Sequence, residues 1–181
     1  MGILAVAVGI SGLPEVIYAA GQNGKTANVY GKVAEAPDVV DLTRMGSKDW
    51  IHFNSNVADS WERKELENSL ISQAGLLGEP ESLARDTKSN FVYQDGTNEK
   101  NPPEDNYIGL ILYGMGNGVS FELPGSEKEQ LLRLYVGSWA SEVTVTVSVN
   151  GTAAYEETFG KKELEAAILT GIQAVYAASV G

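Results

Sequence analysis

The residues best suited to chemistry in this chain point away from catalysis. His52 is the only histidine, and cysteine is absent. A Ser-His-Asp triad would need His52 as its base, but the nearest acid, Asp49, lies three residues earlier on an extended segment and is expected to face the opposite way. The sequence contains no G-x-S-x-G nucleophile elbow, and zinc sites built from several Cys or His are excluded by count. Nothing singles out a glycosidase pair among the 24 acidic residues. We therefore predict a protein that is not an enzyme.

Tryptophan and arginine side chains suggest a ligand-binding site instead. A flat indole ring can stack on the apolar face of a pyranose while neighbouring donors bind its hydroxyls. Trp61 lies among polar residues (59–63), so we expect it to be exposed, with local packing as an equal alternative. Arg63 and His52 would supply hydrogen bonds, and Trp50 is a further candidate whose alternative is burial in the core.

An acidic loop offers a weak calcium alternative. Residues 95–106 carry several oxygen donors, of which Asp95, Asn98 and Asp105 are the best placed. Their spacing does not fit an EF-hand, and an acidic loop is more often simply solvated. We predict no other metal and no other cofactor.

The elements that must position these residues are short β-strands. The clearest is Glu142–Val149, in which Val143, Val145, Val147 and Val149 alternate with polar residues, so that one face should be buried near Tyr135 or Trp139. Asn150-Gly151 predicts a tight hairpin into the next strand, and Gly116-Asn117-Gly118 predicts a turn with positive φ angles. Further strands are predicted at 39–43, 49–53, 90–94, 107–113, 118–123, 131–136, 153–158 and 168–176, with a short helical entry at 161–167. The predicted fold is all-β, an antiparallel β-sandwich with at most short helices.

Charge and hydrophobicity limit the partners. The formal net charge is −11, which opposes nucleic-acid binding because that binding depends on Lys and Arg neutralising phosphates. No apolar run reaches the roughly 18 residues that a membrane span requires.

The N-terminal segment has two interpretations. Residues 1–20 contain an apolar run, 3–10, that ends in small residues, as does the remnant of a secretion signal without its basic start. The alternative is an ordinary strand at 4–8 that pairs into the sheet. With a linker at 21–34, the β-sandwich module would cover 35–181.

Several short motifs occur in a recognisable order: Asp49-Trp50-Ile51-His52-Phe53, Arg63-Lys64, Gln94-Asp95-Gly96-Thr97, Gly116-Asn117-Gly118-Val119 and Tyr135-Val136-Gly137-Ser138-Trp139. This order, over about residues 35–160, resembles a galactose-binding-like β-sandwich module of secreted Gram-positive multi-domain proteins. The resemblance implies a jelly-roll fold and a place beside carbohydrate-related domains. Such modules usually continue with further strands, so a C-terminal strand could be missing here.

The sequence leaves two functions open. The first is an extracellular or cell-surface module that binds polysaccharide or cell-wall glycan within a larger protein. The second is a structural or adhesive spacer that binds no small ligand. Exposed aromatic rings would favour the first function, and burial of every tryptophan would favour the second.

Overall fold

The computed structural model describes residues 3–8, 15–19, 29, 31–98, 102, 104–125, 130–139, 142–160 and 172–180. Over these residues the protein is all-β, with one four-residue helix, α1 (Leu42–Met45), and one 3₁₀ turn, Ala58–Ser60. The strands are β1 (Ile3–Val8), β2 (Glu15–Ala19), β3 (Val39–Asp41), β4 (Asp49–His52), β5 (Glu62–Arg63), β6 (Ser72–Leu77), β7 (Glu81–Asp86), β8 (Asn90–Val92), β9 (Ile108–Tyr113), β10 (Gly118–Pro124), β11 (Leu132–Trp139), β12 (Glu142–Val149), β13 (Thr152–Gly160) and β14 (Ile172–Val180).

The strands form two larger sheets and one small one. The first sheet has the order β13-β12-β1-β10-β6. The second has the order β2-β11-β14-β4-β5, and β9 pairs with another part of β14 and with β7. All these pairs are antiparallel, whereas β3 and β8 form a separate parallel pair.

Side chains from both larger sheets share one apolar cluster, which we call the core cluster. Strands β10 and β12 contribute alternating residues to it, and so do β9 and β11 of the second sheet, because successive side chains point to opposite faces of a strand; β4 contributes Ile51. Its fully or almost fully buried members are Ile51, Phe53, Trp61, Ile71, Leu110, Leu112, Val119, Phe121, Leu123, Leu132, Leu134, Val136, Val143, Val145 and Val147. The predicted burial of the first three β12 valines is confirmed, while Val149 is only half-buried.

A second apolar cluster, the outer cluster, lies on the other face of β4. It consists of Val40, Leu42, Trp50, Phe91, Tyr93 and Tyr135. The sequence places Trp50 and His52 on one face of β4 and Ile51 and Phe53 on the other, and this division is confirmed: Ile51 and Phe53 are in the core cluster, and the His52 ring contacts Phe91. Of the two aromatic residues expected near the β12 valines, Tyr135 or Trp139, Tyr135 lies elsewhere, because Leu134 and Val136 take the core-facing positions of β11 and leave Tyr135 on the opposite face. The side chain of Trp139 lies outside the described part.

Local chemistry explains where the elements begin and end. The predicted strand 39–43 stops early because the Asp41 carboxylate accepts from Arg44 N at 3.0 Å and caps α1. The Asn150-Gly151 hairpin is confirmed, with φ angles of 51° and 80°. Gly116 has the positive φ predicted for its turn, whereas Gly118 already begins β10. Strand β7 was not predicted, since Glu81–Asp86 contains no β-branched or aromatic residue.

The N-terminal segment pairs with both sheets. Strand β1 lies between β10 and β12, and β2 pairs with β11. This arrangement corresponds to the strand interpretation of residues 4–8, and the secretion-signal interpretation of residues 1–20 stays a prediction. The predicted helical entry at 161–167 lies outside the described residues, and β14 begins four residues after the predicted start of the last strand.

Candidate functional site

The four residues predicted to bind ligand lie on adjacent segments of the chain, but their side chains do not share one face of the sheet. His52 and Trp50 are on β4, which pairs with β5 through Ile51↔Arg63 and His52↔Glu62. Trp61 directly precedes β5. Trp50 belongs to the outer cluster and Trp61 to the core cluster on the other face of β4, so the structure does not bring the two rings into one site.

Trp61 is buried, and the expectation that it is exposed is wrong. Only 3% of its surface is accessible, its ring meets Phe53 edge-on at a centroid distance of 4.8 Å, and its Nε1 donates to the Ser55 carbonyl at 2.8 Å. The polar neighbours Asp59 and Ser60 are exposed in the 3₁₀ turn, but the chain then extends and directs the indole into the core cluster. In this position the ring face cannot stack on a sugar.

Trp50 is also buried, and its indole belongs to a polar network. Nε1 donates to Asp95 Oδ1 at 2.9 Å, and the ring lies 4.7 Å from that of Tyr93. Asp95 also accepts from Thr43 Oγ1 at 2.6 Å and from Lys64 Nζ through Oδ2. Burial raises the pKa of Asp95, but the hydrogen bonds from Lys64, Thr43 and Trp50 outweigh it, so the pKa lies below its ordinary value. Asp95 is thus a charged acceptor that joins three separate segments of the chain.

Asp49 is a buried carboxylate that serves the backbone. It accepts from the N–H groups of Trp50, Leu70 and Ile71 at 2.7, 2.6 and 2.8 Å. Burial raises its pKa, and these three hydrogen bonds together with the Arg63 charge lower it less than burial raises it. The structure therefore directs Asp49 toward residues 70 and 71, as expected for a side chain that does not orient His52.

Arg63 is half-buried and fixed by the backbone. Its Nη1 donates to the Ile71 carbonyl at 2.7 Å. Burial lowers the pKa of Arg63, and the Asp49 carboxylate opposes that effect. The guanidinium and Asp49 therefore hold the same segment, residues 70–71, from two sides.

His52 is fully buried and neutral. Nε2 lies 2.8 Å from the Ile108 carbonyl oxygen, so Nε2 carries the proton and Nδ1 is left as an acceptor. Within the described residues Nδ1 has no hydrogen-bond partner. The ring lies 4.8 Å from Phe91, and burial lowers the pKa of His52 to about 4. A base enclosed in this way has no route to a substrate.

Glu62 is a buried acid that sequence analysis missed. Its Oε1 accepts from Thr97 Oγ1 at 3.0 Å and from Asn98 N at 2.9 Å. The backbone adds Thr97 N to Arg63 O at 2.9 Å and Glu65 N to Asp95 O at 2.7 Å. The Asp95-Gly96-Thr97 turn is therefore bound along its whole length to β5 and the two residues that follow it. The only sequence signal at Glu62 was the alternation of side chains along a strand. That pattern does not indicate which residues Glu62 binds.

The weak calcium alternative finds no support in this geometry. Asp95 contacts the Lys64 ammonium, which opposes a second cation there. Asn98 uses its backbone N–H toward Glu62, and Asp105 is exposed on a turn. Over the described ranges, no three His, Asp or Glu side chains form a group that could hold a metal ion.

Taken together, Asp49, Glu62 and Asp95 form what we call the polar network. Each carboxylate accepts hydrogen bonds from protein donors, and together they connect α1, β4, β5 and the segments at 70–71 and 95–98.

Comparison with protein-family models, curated proteins and solved structures gives no match. In the described part of the chain, no helix has the length and apolar character needed to cross a membrane.

Proposed function

We propose that this chain is a non-catalytic extracellular module of a larger cell-surface protein, and that it associates with carbohydrate or cell-wall polymer. Its architecture would be a galactose-binding-like β-sandwich. The support for the architecture is that the two larger sheets contribute to a single core cluster, as two facing sheets do.

The observation that carries the proposal is where the motif residues lie. Asp49 and Trp50, Lys64, and Asp95 come from three separate motifs of the resemblance, and in the structure they contact one another or a common partner. Residues of three motifs that bind one another in this way would occur together in a common fold, because the polar network forms only when all of them are present. The same engagement of the acids and of His52 supports a protein without catalytic groups.

A structural or adhesive spacer is the second candidate. The observation that favours it is the burial of Trp50 and Trp61, the two tryptophans whose side chains are described. In this conformation neither indole ring can stack on a sugar, so a sugar would have to bind to other groups on the surface.

Binding of the purified protein to an array of neutral and acidic glycans, followed by calorimetry on any positive glycan, tests the proposal. Weak saturable binding, with Kd of about 0.1–1 mM, is expected for a small exposed site. If the protein bound none of the glycans, the result would favour the spacer function. Release of reducing ends from a polysaccharide would contradict the non-catalytic assignment.

A further inference from the structure

Cations gather around one loop of this acidic protein. Residues 44–48, Arg44-Met45-Gly46-Ser47-Lys48, contain two cations and no acid, in a chain whose net charge is −11. Both Arg44 and Lys48 are exposed. We call this segment the cationic loop.

Two more cations reach the same loop from distant parts of the chain. Lys64 Nζ donates to the Gly46 carbonyl at 3.3 Å, and Arg133 Nη1 donates to the Met45 carbonyl at 2.9 Å. The ammonium and the guanidinium therefore bind the carbonyl groups of two consecutive residues. Four of the thirteen Lys and Arg residues therefore converge on five residues.

Two acids lie beside these groups. Asp95 pairs with Lys64, and the Asp41 carboxylate accepts from the backbone of Arg44 as the cap of α1. The side chains of Arg44 and Lys48 are exposed. The loop thus presents two exposed cations in a chain that is negative overall.

The shape of the loop is fixed by close packing. Gly46 is buried, and its N–H donates to the Leu42 carbonyl at 2.8 Å. A Cβ at Gly46 would lie 2.6 Å from the Asp49 carbonyl oxygen and 2.7 Å from Trp50 Cβ, so the loop approaches β4 more closely than other residues allow. The backbone that carries Arg44 and Lys48 is therefore held in place before any ligand binds.

We propose that the cationic loop binds the carboxylate groups of an acidic polysaccharide. The inference rests on the proposed function and gives it a ligand class. Arginine donors match the planar carboxylate, and ionic contacts need no exposed aromatic ring. The negative remainder of the surface would repel such a polymer, so its contact with the protein is confined to this loop.

The test compares two double variants that remove equal charge. Arg44→Ser with Lys48→Ser alters the cationic loop, and Lys32→Ser with Lys88→Ser removes two exposed lysines elsewhere. Binding of polygalacturonate, a neutral dextran and single-stranded DNA is measured by calorimetry at low and physiological salt. Thermal unfolding of each variant is measured in parallel, to show that both fold as the parent does.

The parent should bind polygalacturonate and not dextran, and the loop variant should bind about five- to tenfold more weakly, the sum expected for two exposed ionic contacts. The Lys32/Lys88 control should keep the affinity of the parent. Equal weakening in both variants would mean that net charge alone is responsible, and equal affinity for DNA would remove the carbohydrate assignment. Binding to neutral glycans that survives the loop substitutions would overturn this inference but preserve the proposed function. Binding to no polymer would overturn both.

Discussion

The core cluster and the outer cluster are held together by different forces. In the core cluster, β10 and β12 contribute apolar residues in strict alternation, and its cohesion comes from removing apolar surface from water. The outer cluster has six fully or almost fully buried members and depends on the polar network beside it: the indole of Trp50 is positioned by Asp95, and Asp95 by Thr43 and Lys64. Changes to the first region should act through volume and charge burial. Changes to the second should act through single unsatisfied hydrogen bonds.

The largest effect is expected from deletion of residues 1–20, which would remove a strand from the middle of the first sheet. Strand β1 pairs with β10 on one side and β12 on the other, so its loss should prevent folding. Circular dichroism and urea unfolding check this outcome. Stability within about 1 kcal/mol of the parent would instead favour the secretion-signal interpretation.

Val145→Asp tests the core cluster directly. Val145 has no accessible surface, and an unpaired carboxylate there should cost several kcal/mol and unfold the protein. Ser148→Asp is the matched control, because Ser148 is half-buried on the other face of β12 and lies opposite Ala153. Thr146 is less suitable, since it lies opposite Glu156. Similar urea midpoints for the two variants would show that the register of β12 is wrong.

In the polar network, Asp49→Ala should have the largest effect. It would leave the N–H groups of Leu70 and Ile71 without their acceptor in a buried region, at about 2–4 kcal/mol. Asp49→Asn keeps one acceptor oxygen and should lose less. The free energy of unfolding of both variants is measured in urea. If Asp49→Ala left it unchanged, this carboxylate would not be needed for stability.

His52 should make stability depend on pH. Its folded pKa, about 4, lies below the ordinary value of 6.5, so between these limits the unfolded chain binds the proton and stability falls as the pH falls from 6.5 to 4. The full effect is about 3 kcal/mol. Asp49 acts in the opposite sense, because its raised pKa adds stability as the pH falls through that pKa. The difference between the parent and His52→Gln, followed by urea unfolding across this range, isolates the histidine. A difference independent of pH would show that His52 is accessible to protons in the folded state.

The smallest effect is expected at the Lys64–Asp95 ion pair. The Asp95 side chain is 29% exposed, so solvent screens the pair and Lys64→Met should cost about 1 kcal/mol. A double-mutant cycle with Asp95→Asn measures the coupling. Coupling above about 3 kcal/mol would show that the pair behaves as a buried one.

Sequence patterns predicted the core cluster better than the polar network, for a physical reason. Alternation at Val143, Val145 and Val147 and the Asn150-Gly151 turn are local signals, and the structure follows them. The contacts of Asp95 with Thr43 and Lys64 span 52 and 31 residues, and no local pattern encodes them. Trp61 was misjudged for the same reason: its polar neighbours are local, whereas its partner Phe53 lies on another segment.

The position of β14 has a consequence for how the protein folds. Residues 172–180 are the last strand described, yet they pair with β11, β4 and β9 in the middle of the second sheet. During synthesis these partner strands lack their shared neighbour until residue 180 has left the ribosome. The local β12–β13 hairpin can form early, whereas closure of the second sheet depends on long-range contacts and should set the folding rate. In that interval, the edges of β9 and β11 are where an incomplete chain would self-associate.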